Sequence, residues 1–128
     1  MKINEVRKLV NKLSKIIAPQ VGDYFAEIAV GLVDESEIRH LNKIYRKHDK
    51  VTDILSFIHE VKPINGELVL CLPQAERQAK RMGHSLEKEV TILLIHGLLH
   101  LAGHDHMKVG ERKVMRGLEQ KMLKSSFP

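Results

Sequence analysis

Four of the chain's eight histidines fall in the stretch HGLLHLAGHDH, from His96 to His106. The pattern is H-x-x-x-H-x-x-G-x-x-H, the spacing by which a large class of zinc peptidases holds its metal. On an α-helix His96 and His100 lie one turn apart on one face, so both imidazoles reach a single ion. Gly103, free to adopt left-handed backbone, would end that helix and turn the chain back, bringing His106 to the same point as a third nitrogen ligand. Three histidines leave the fourth tetrahedral position to water, the arrangement of a catalytic zinc. A closed structural site would more usually carry cysteines, and the chain has one, Cys71.

As ordinary core residues, two imidazoles on so apolar a helix would each cost about 1–3 kcal/mol without partners; one metal ion satisfies both. His104 competes for the third position, and the ten-residue offset of the peptidase pattern favours His106. Asp105 is a candidate for the carboxylate that orients a ligand imidazole, and equally a surface loop residue. Gly97 stands where the peptidases have the glutamate that takes a proton from the metal's water. Glycine cannot do this, and inside a helix it costs about 1 kcal/mol relative to alanine. Its presence implies that something needs the space, either a closely packed strand or a substrate. Zinc chemistry other than peptide hydrolysis is the expectation, with a zinc-dependent peptidase or amidohydrolase lacking the usual glutamate base as the alternative.

The elements that position these residues are legible from periodicity. Val90 to Ala102 is apolar nearly all round, so its helix is buried on most sides; Ser85 caps it, with Glu87 and Glu89 in its first turn. Ile3 to Ile17 has the apolar period of a helix with lysines between, and Pro19 is read as following its end. Ile28 to Val33 reads as a buried strand, and Asp34 opens a second helix that fades into the basic run Arg46 to Lys50. Asp53 to Ile58 and Glu67 to Leu72 read as antiparallel strands, with Pro63, Asn65 and Gly66 as their turn. A helix from Pro73 to about Met82 ends at Gly83, and a last amphipathic helix covers roughly Gly110 to Lys124. Helices, strands and helices again describe a single α+β domain over residues 1–128, helices packed on a small sheet.

At 128 residues, 43% hydrophobic and 29% charged, the chain has the balance of a soluble globular domain. One cysteine excludes an internal disulfide and gives no basis for a disulfide-linked partner; it suits a reducing compartment. The N-terminus lacks the apolar run of a signal peptide, and the longest apolar stretch is too short to span a bilayer. The expectation is a cytoplasmic protein with no membrane association. A net charge of +5 leans towards a polyanion such as nucleic acid, or is simply a solvated basic surface.

With the histidine segment GHSLEKEVTILLIHGLLHLAGHDH, two further stretches complete a resemblance: LNKIYRKHDKVTDILSF, Leu41 to Phe57, and GELVLC, Gly66 to Cys71. From about Ile28 to His106 the chain resembles the bacterial YbeY family, metal-dependent endoribonucleases of ribosomal RNA maturation. The resemblance implies an α+β fold with about five helices around a mixed three- to four-stranded sheet, and a zincin-like metal site at one end of a cleft. It implies one Zn2+ on His96, His100 and His106 plus water, and a role in RNA processing for Arg46. It also implies single-stranded ribosomal RNA precursors as substrate, notably the 3′ end of the small-subunit RNA, a place in ribosome quality control, and the small ribosomal subunit as partner. Three departures stand out. This chain starts almost directly at its first helix where many members begin with a strand, which implies a sheet with one strand fewer and an exposed edge. Ile58 replaces a common proline, and Glu67 a common aspartate. None touches the expected ligands.

Taken by itself Arg46 is a cation at a helix C-terminus, where the dipole favours it. With the resemblance it becomes the residue that holds the scissile phosphate, since planar bidentate binding of phosphate is what arginine does best. Basic residues cluster at Arg39, Lys43, Arg46, Lys47 and Lys50, and again at Arg77, Lys80 and Arg81, where they would track an RNA backbone. Aromatic content of 4% argues against base stacking as the main source of affinity. Ser56 and Thr52 are left outside the catalytic set, because a serine in a buried strand usually satisfies a neighbouring backbone group.

Overall fold

A computed structural model describes residues 1–22 and 24–103, together with Lys113, Arg116, Gly117, Gln120, Lys121, Leu123 and Lys124. In chain order the elements are α1 (Ile3–Val21), β1 (Phe25–Leu32), α2 (Glu35–Arg46), β2 (Ile54–Val61), β3 (Ile64–Leu70), α3 (Leu72–Met82) and α4 (Leu86–Leu101). The helix expected over Gly110 to Lys124 falls largely outside the described residues; those of its positions that are described are helical.

The strands form one mixed sheet in the order β1-β3-β2. β1 runs parallel to β3 with Ile28 opposite Gly66 and Leu32 opposite Leu70; β2 is antiparallel to β3 with Ile54 opposite Leu70 and Val61 opposite Ile64. The tight pairing of Val61 with Ile64 corrects the expected turn. The reversal is made at Lys62 and Pro63, while Asn65 and Gly66 belong to β3. Gly66 is in the strand because its position admits no side chain: a Cβ there would lie 2.7 Å from the Phe57 carbonyl oxygen and 2.8 Å from Leu101.

Alternation along the strands sends the two sets of side chains into two cores. Ile54, Ile64, Leu68 and Leu70 join Val6, Val10, Leu13 and Ile17 of α1 and the apolar face of α4 in the larger core. Leu55, Val69 and Cys71 meet Ile38 of α2 on the opposite face. α1 runs beyond Pro19 to Val21, contrary to the expectation that the proline follows its end. A proline in the last turn removes one donor without unseating Ile17, which is fully buried. The helix stops instead at Gly22, in left-handed backbone (φ 71°), whose N–H donates to the Ala18 carbonyl.

Gly97 answers the question its position raised. A Cβ there would stand 2.8 Å from Leu68 Cδ2 and 3.2 Å from Ile54 Cδ1, so the glycine lets α4 lie directly on β2 and β3. No glutamate fits at this point. We expect Gly97→Val to destabilise the protein by about 1–3 kcal/mol through overpacking. Gly97→Ala should cost less, because a gain in helix propensity of about 1 kcal/mol offsets the crowding. Urea denaturation checks both, and a Gly97→Val protein as stable as wild type would contradict the close seating. Burial also pushes the Cys71 thiol above its usual pKa. It should therefore stay unlabelled by a thiol reagent until the protein unfolds, as stopped labelling in native buffer and in denaturant would establish.

Candidate metal centre

α2 and α4 cover opposite faces of the sheet, and β2 is its edge strand on one side. Around the start of β2 the two layers meet. There Arg46 from the last turn of α2, His96 and His100 from α4, and Ile54, Leu55 and Ser56 from β2 line one cleft of about 140 Å³. Arg46 is thus brought together with two of the three expected ligands. Ser56, set aside on sequence grounds, lines the same cleft. Thr52 does not; its hydroxyl contacts Asp53 Oδ1 at 3.4 Å. His106, His104 and Asp105 lie outside the described residues.

Local interactions fix both sides of this cleft. The Asp34 carboxylate caps α2, accepting from the Glu37 N–H at 2.8 Å, and Lys47 ends it in left-handed backbone (φ 59°). Asn42, almost fully buried, donates from Nδ2 to the Lys50 carbonyl at 2.9 Å and accepts the His48 N–H on its own carbonyl at 3.2 Å. The segment after α2 is thereby stitched back onto the helix that carries Arg46. Arg39 donates to Asp49 on the same segment at 2.9 Å, which holds the Asp49 carboxyl below its usual range.

On the other side, Ser85 caps α4 by accepting the Lys88 N–H at 3.1 Å. Glu89, 6% exposed, contacts His84 Nε2 at 2.6 Å through one oxygen and accepts from Gln78 Nε2 at 3.0 Å through the other. Gln78 Nε2 also donates to Asp53 Oδ2 at 3.1 Å, and Asp53 Oδ1 accepts the Ile54 N–H at 2.7 Å. This part-buried chain of polar contacts ties the start of β2 to α3 and α4 immediately beside the cleft. Sequence assigned Glu89 only to the helix dipole. The spacing from Glu89 to His96 and His100, seven and eleven residues on one helix stripe, was the available sign of a shared face.

The residues present fit a metal ion. His100 Nδ1 is buried and has no hydrogen-bond partner among the described residues, which therefore leave that ring nitrogen unsatisfied, unlike that of a structural histidine. Imidazole nitrogens are good zinc donors. Among the described residues no three His, Cys, Asp or Glu side chains converge on one point, and of the three expected ligands the described part of the cleft holds two, His96 and His100.

The expected RNA-contacting cations behave differently from Arg46. Arg39 and Lys43 face Asp49 at 2.9 and 3.9 Å, Arg77 faces Glu35 at 2.7 Å, and Lys80 faces Glu76 at 3.8 Å. The pairing holds the Arg77 guanidinium even more firmly protonated than usual. None of these four lines the cleft, and neither do Lys47 and Lys50. Arg81 borders a separate hollow beside Glu89. A further hollow of about 350 Å³ lies over the α2 face of the sheet between Tyr45, Phe57 and Val69. It holds no expected ligand, and its wall carries Glu37 and Glu67, the latter 3.5 Å from His59.

Residues 1–126 match the family model described as Endoribonuclease YbeY. The Aquifex aeolicus protein named endoribonuclease YbeY is 43% identical over 129 aligned positions, which cover 96% of this chain and 86% of that protein. The Desulforamulus reducens protein of the same name is 42% identical, covering 91% of this chain and 83% of its own length. Among solved structures, the solution structure of a Thermotoga maritima protein superposes with a TM-score of 0.68 at 34% identity, covering 97% of this chain and 83% of that one.

The orphaned nitrogen gives a stability test. Replacing His100 by leucine removes an unsatisfied buried polar atom, so the metal-free protein should gain about 1 kcal/mol. The same change should abolish any rise in melting temperature on adding zinc. Thermal unfolding with chelator and with zinc measures both, and a His100→Leu protein that keeps the zinc-induced rise would remove His100 from the ligand set.

Proposed function

From the premise that this chain belongs to the endoribonuclease YbeY family, we propose that it is a zinc-dependent, single-strand-specific endoribonuclease acting in the maturation of small-subunit ribosomal RNA and in ribosome quality control. The observation that supports this best is the common cleft of Arg46, His96 and His100. It sets a cation for phosphate beside two imidazoles for a metal. The third ligand is His106, with His104 as its competitor and Asp105 as the carboxylate that orients an imidazole. Bound there, zinc supplies Lewis acidity at a phosphoryl oxygen and a nucleophile ionised near neutral pH.

The chain's own residues do the rest. Arg46 has no carboxylate partner among the described residues, in contrast to Arg39 and Arg77, so its guanidinium is available to a phosphate without breaking an ion pair. It binds the scissile phosphate in the bidentate manner of guanidinium and takes up the charge that develops on the phosphoryl oxygens. Ile54 and Leu55 give the cleft an apolar wall that lowers the local dielectric and strengthens this contact. Ser56 offers a hydroxyl beside the histidines to orient the substrate.

The cations at Arg39, Lys43, Lys47, Lys50, Arg77, Lys80 and Arg81 form the wider RNA surface of this proposal. The ion pairs among them are exposed and worth about 0–1 kcal/mol, so a phosphate can take the place of a carboxylate at little cost. Ribosomal RNA within the small subunit or its precursors is the partner, in the cytoplasm. A peptidase reading finds no support, because the position of the peptidase base is occupied by a glycine pressed against Leu68.

Arg46→Glu should lower cleavage of single-stranded pre-ribosomal RNA at least a hundredfold while leaving zinc content at wild-type level. Metal analysis and a cleavage assay on one preparation, with and without chelator, read both quantities. Wild-type activity in the variant would exclude Arg46 from the reaction, and activity untouched by chelation would exclude the metal.

A further inference from the structure

Glu89, His96 and His100 lie seven and eleven residues apart on α4, within about 20° of one line along the helix. The cleft of Arg46 and the histidines sits at the C-terminal end of this stripe. At its N-terminal end is a second hollow of about 350 Å³, lined by Gln78, Arg81, Met82, His84, Glu89 and Ile92. Glu89 and His96 are about 10 Å apart along the axis, the rise of about three stacked nucleotides.

The second hollow is a prepared site. Its floor is the buried carboxylate of Glu89, 6% exposed, whose two oxygens are taken by His84 at 2.6 Å and Gln78 at 3.0 Å. His84 makes this contact through Nε2, and its Nδ1 has no partner among the described residues. On the wall, Arg81 has no carboxylate partner among the described residues, whereas its neighbour Lys80 faces Glu76. Met82 is 68% exposed, an apolar surface next to that free guanidinium. A cation, a ring nitrogen and an apolar side chain are the complement of a phosphate, a sugar or base hydrogen-bond group, and a base face.

We propose that this hollow is a second nucleotide-binding subsite, in which Arg81 takes a backbone phosphate of the strand whose scissile phosphate lies at Arg46, with Met82 against the base and His84 Nδ1 as a polar contact. The single strand then spans the two hollows, which border opposite ends of the Glu89–His100 stripe. The assignment rests on the endoribonuclease reading for the identity of the ligand, and the test separates the two.

Fluorescence anisotropy with labelled single-stranded RNA of two and eight nucleotides, on wild-type protein and on Arg81→Glu, measures the subsite. Wild type should bind the longer strand at least tenfold more tightly than the shorter, and Arg81→Glu should reduce that ratio to near one. Met82→Ala should reduce it in part, since Arg81 and Met82 lie outside the core and both proteins should melt as wild type does. An unchanged ratio in Arg81→Glu, or an equal loss for both lengths, overturns the subsite. Cleavage of the same strands is scored separately. Arg81-dependent binding without any cleavage would uphold the subsite and overturn the endoribonuclease reading. Cleavage with an unchanged ratio would do the reverse.

Discussion

The structure depends on how closely α4 lies against the sheet. Ten of its sixteen residues are buried, and at Gly97 the helix backbone comes so near β2 and β3 that not even a methyl group fits without displacing Leu68. Gly66 makes the reciprocal concession from the strand, leaving room for Leu101. A helix held in this way cannot slide or rotate by much, because close-packed interiors change shape in discrete steps. His96 and His100 inherit that rigidity. Side chains carried on a seated helix keep their separation without help from a flexible loop, the condition that a metal site would require of them.

The same contact explains why a motif so close to that of the peptidases does different work. The position after the first histidine faces strands here, so it serves packing. A carboxylate that would act on water in a peptidase has no volume to occupy. A cation reaches the cleft instead from the other layer of the sheet, through Arg46, and β2 can bring the two layers together because it is the edge strand. The basic surface around it is less uniform than the charge total suggests. Arg39, Lys43, Arg77 and Lys80 are held in exposed pairs with carboxylates, while Arg46 and Arg81 have no such partner among the described residues.

Much of this was legible in the sequence, and the limits of legibility were physical. Long helices with a strong apolar period, the caps at Asp34, Ser85 and Gly83, and the antiparallel pair β2–β3 were readable because local residues determine them. Strand ends and the turn at Pro63 were not, because register is set by partners across the sheet; a Gly66 that reads as a turn residue is in fact a strand residue crowded by α4. The parallel pairing of β1 with β3 depends on chain some forty residues apart and leaves no local signature. In the site, the spacing of His96 and His100 spoke for itself, while Ser56 and Glu89 acquire meaning only from what stands opposite them. Charge clusters were legible only in part for the same reason. Sequence counts the cations but not the carboxylates that fold onto them.

The strand order also dictates a sequence of assembly. The central strand, β3, is the last of the three to be synthesised, so β1 must wait for a partner that lies roughly forty residues downstream. The neighbouring pair β2–β3 can close as a hairpin within microseconds, whereas recruiting β1 incurs the entropy of a much larger loop. α4, with both histidines, emerges later still and needs the finished face of β2 and β3 beneath Gly97 before it can dock. Ligand-bearing residues therefore reach their places only after the sheet exists. A nascent or partly folded chain has no cleft, and any competence for hydrolysis arrives with completion of the fold.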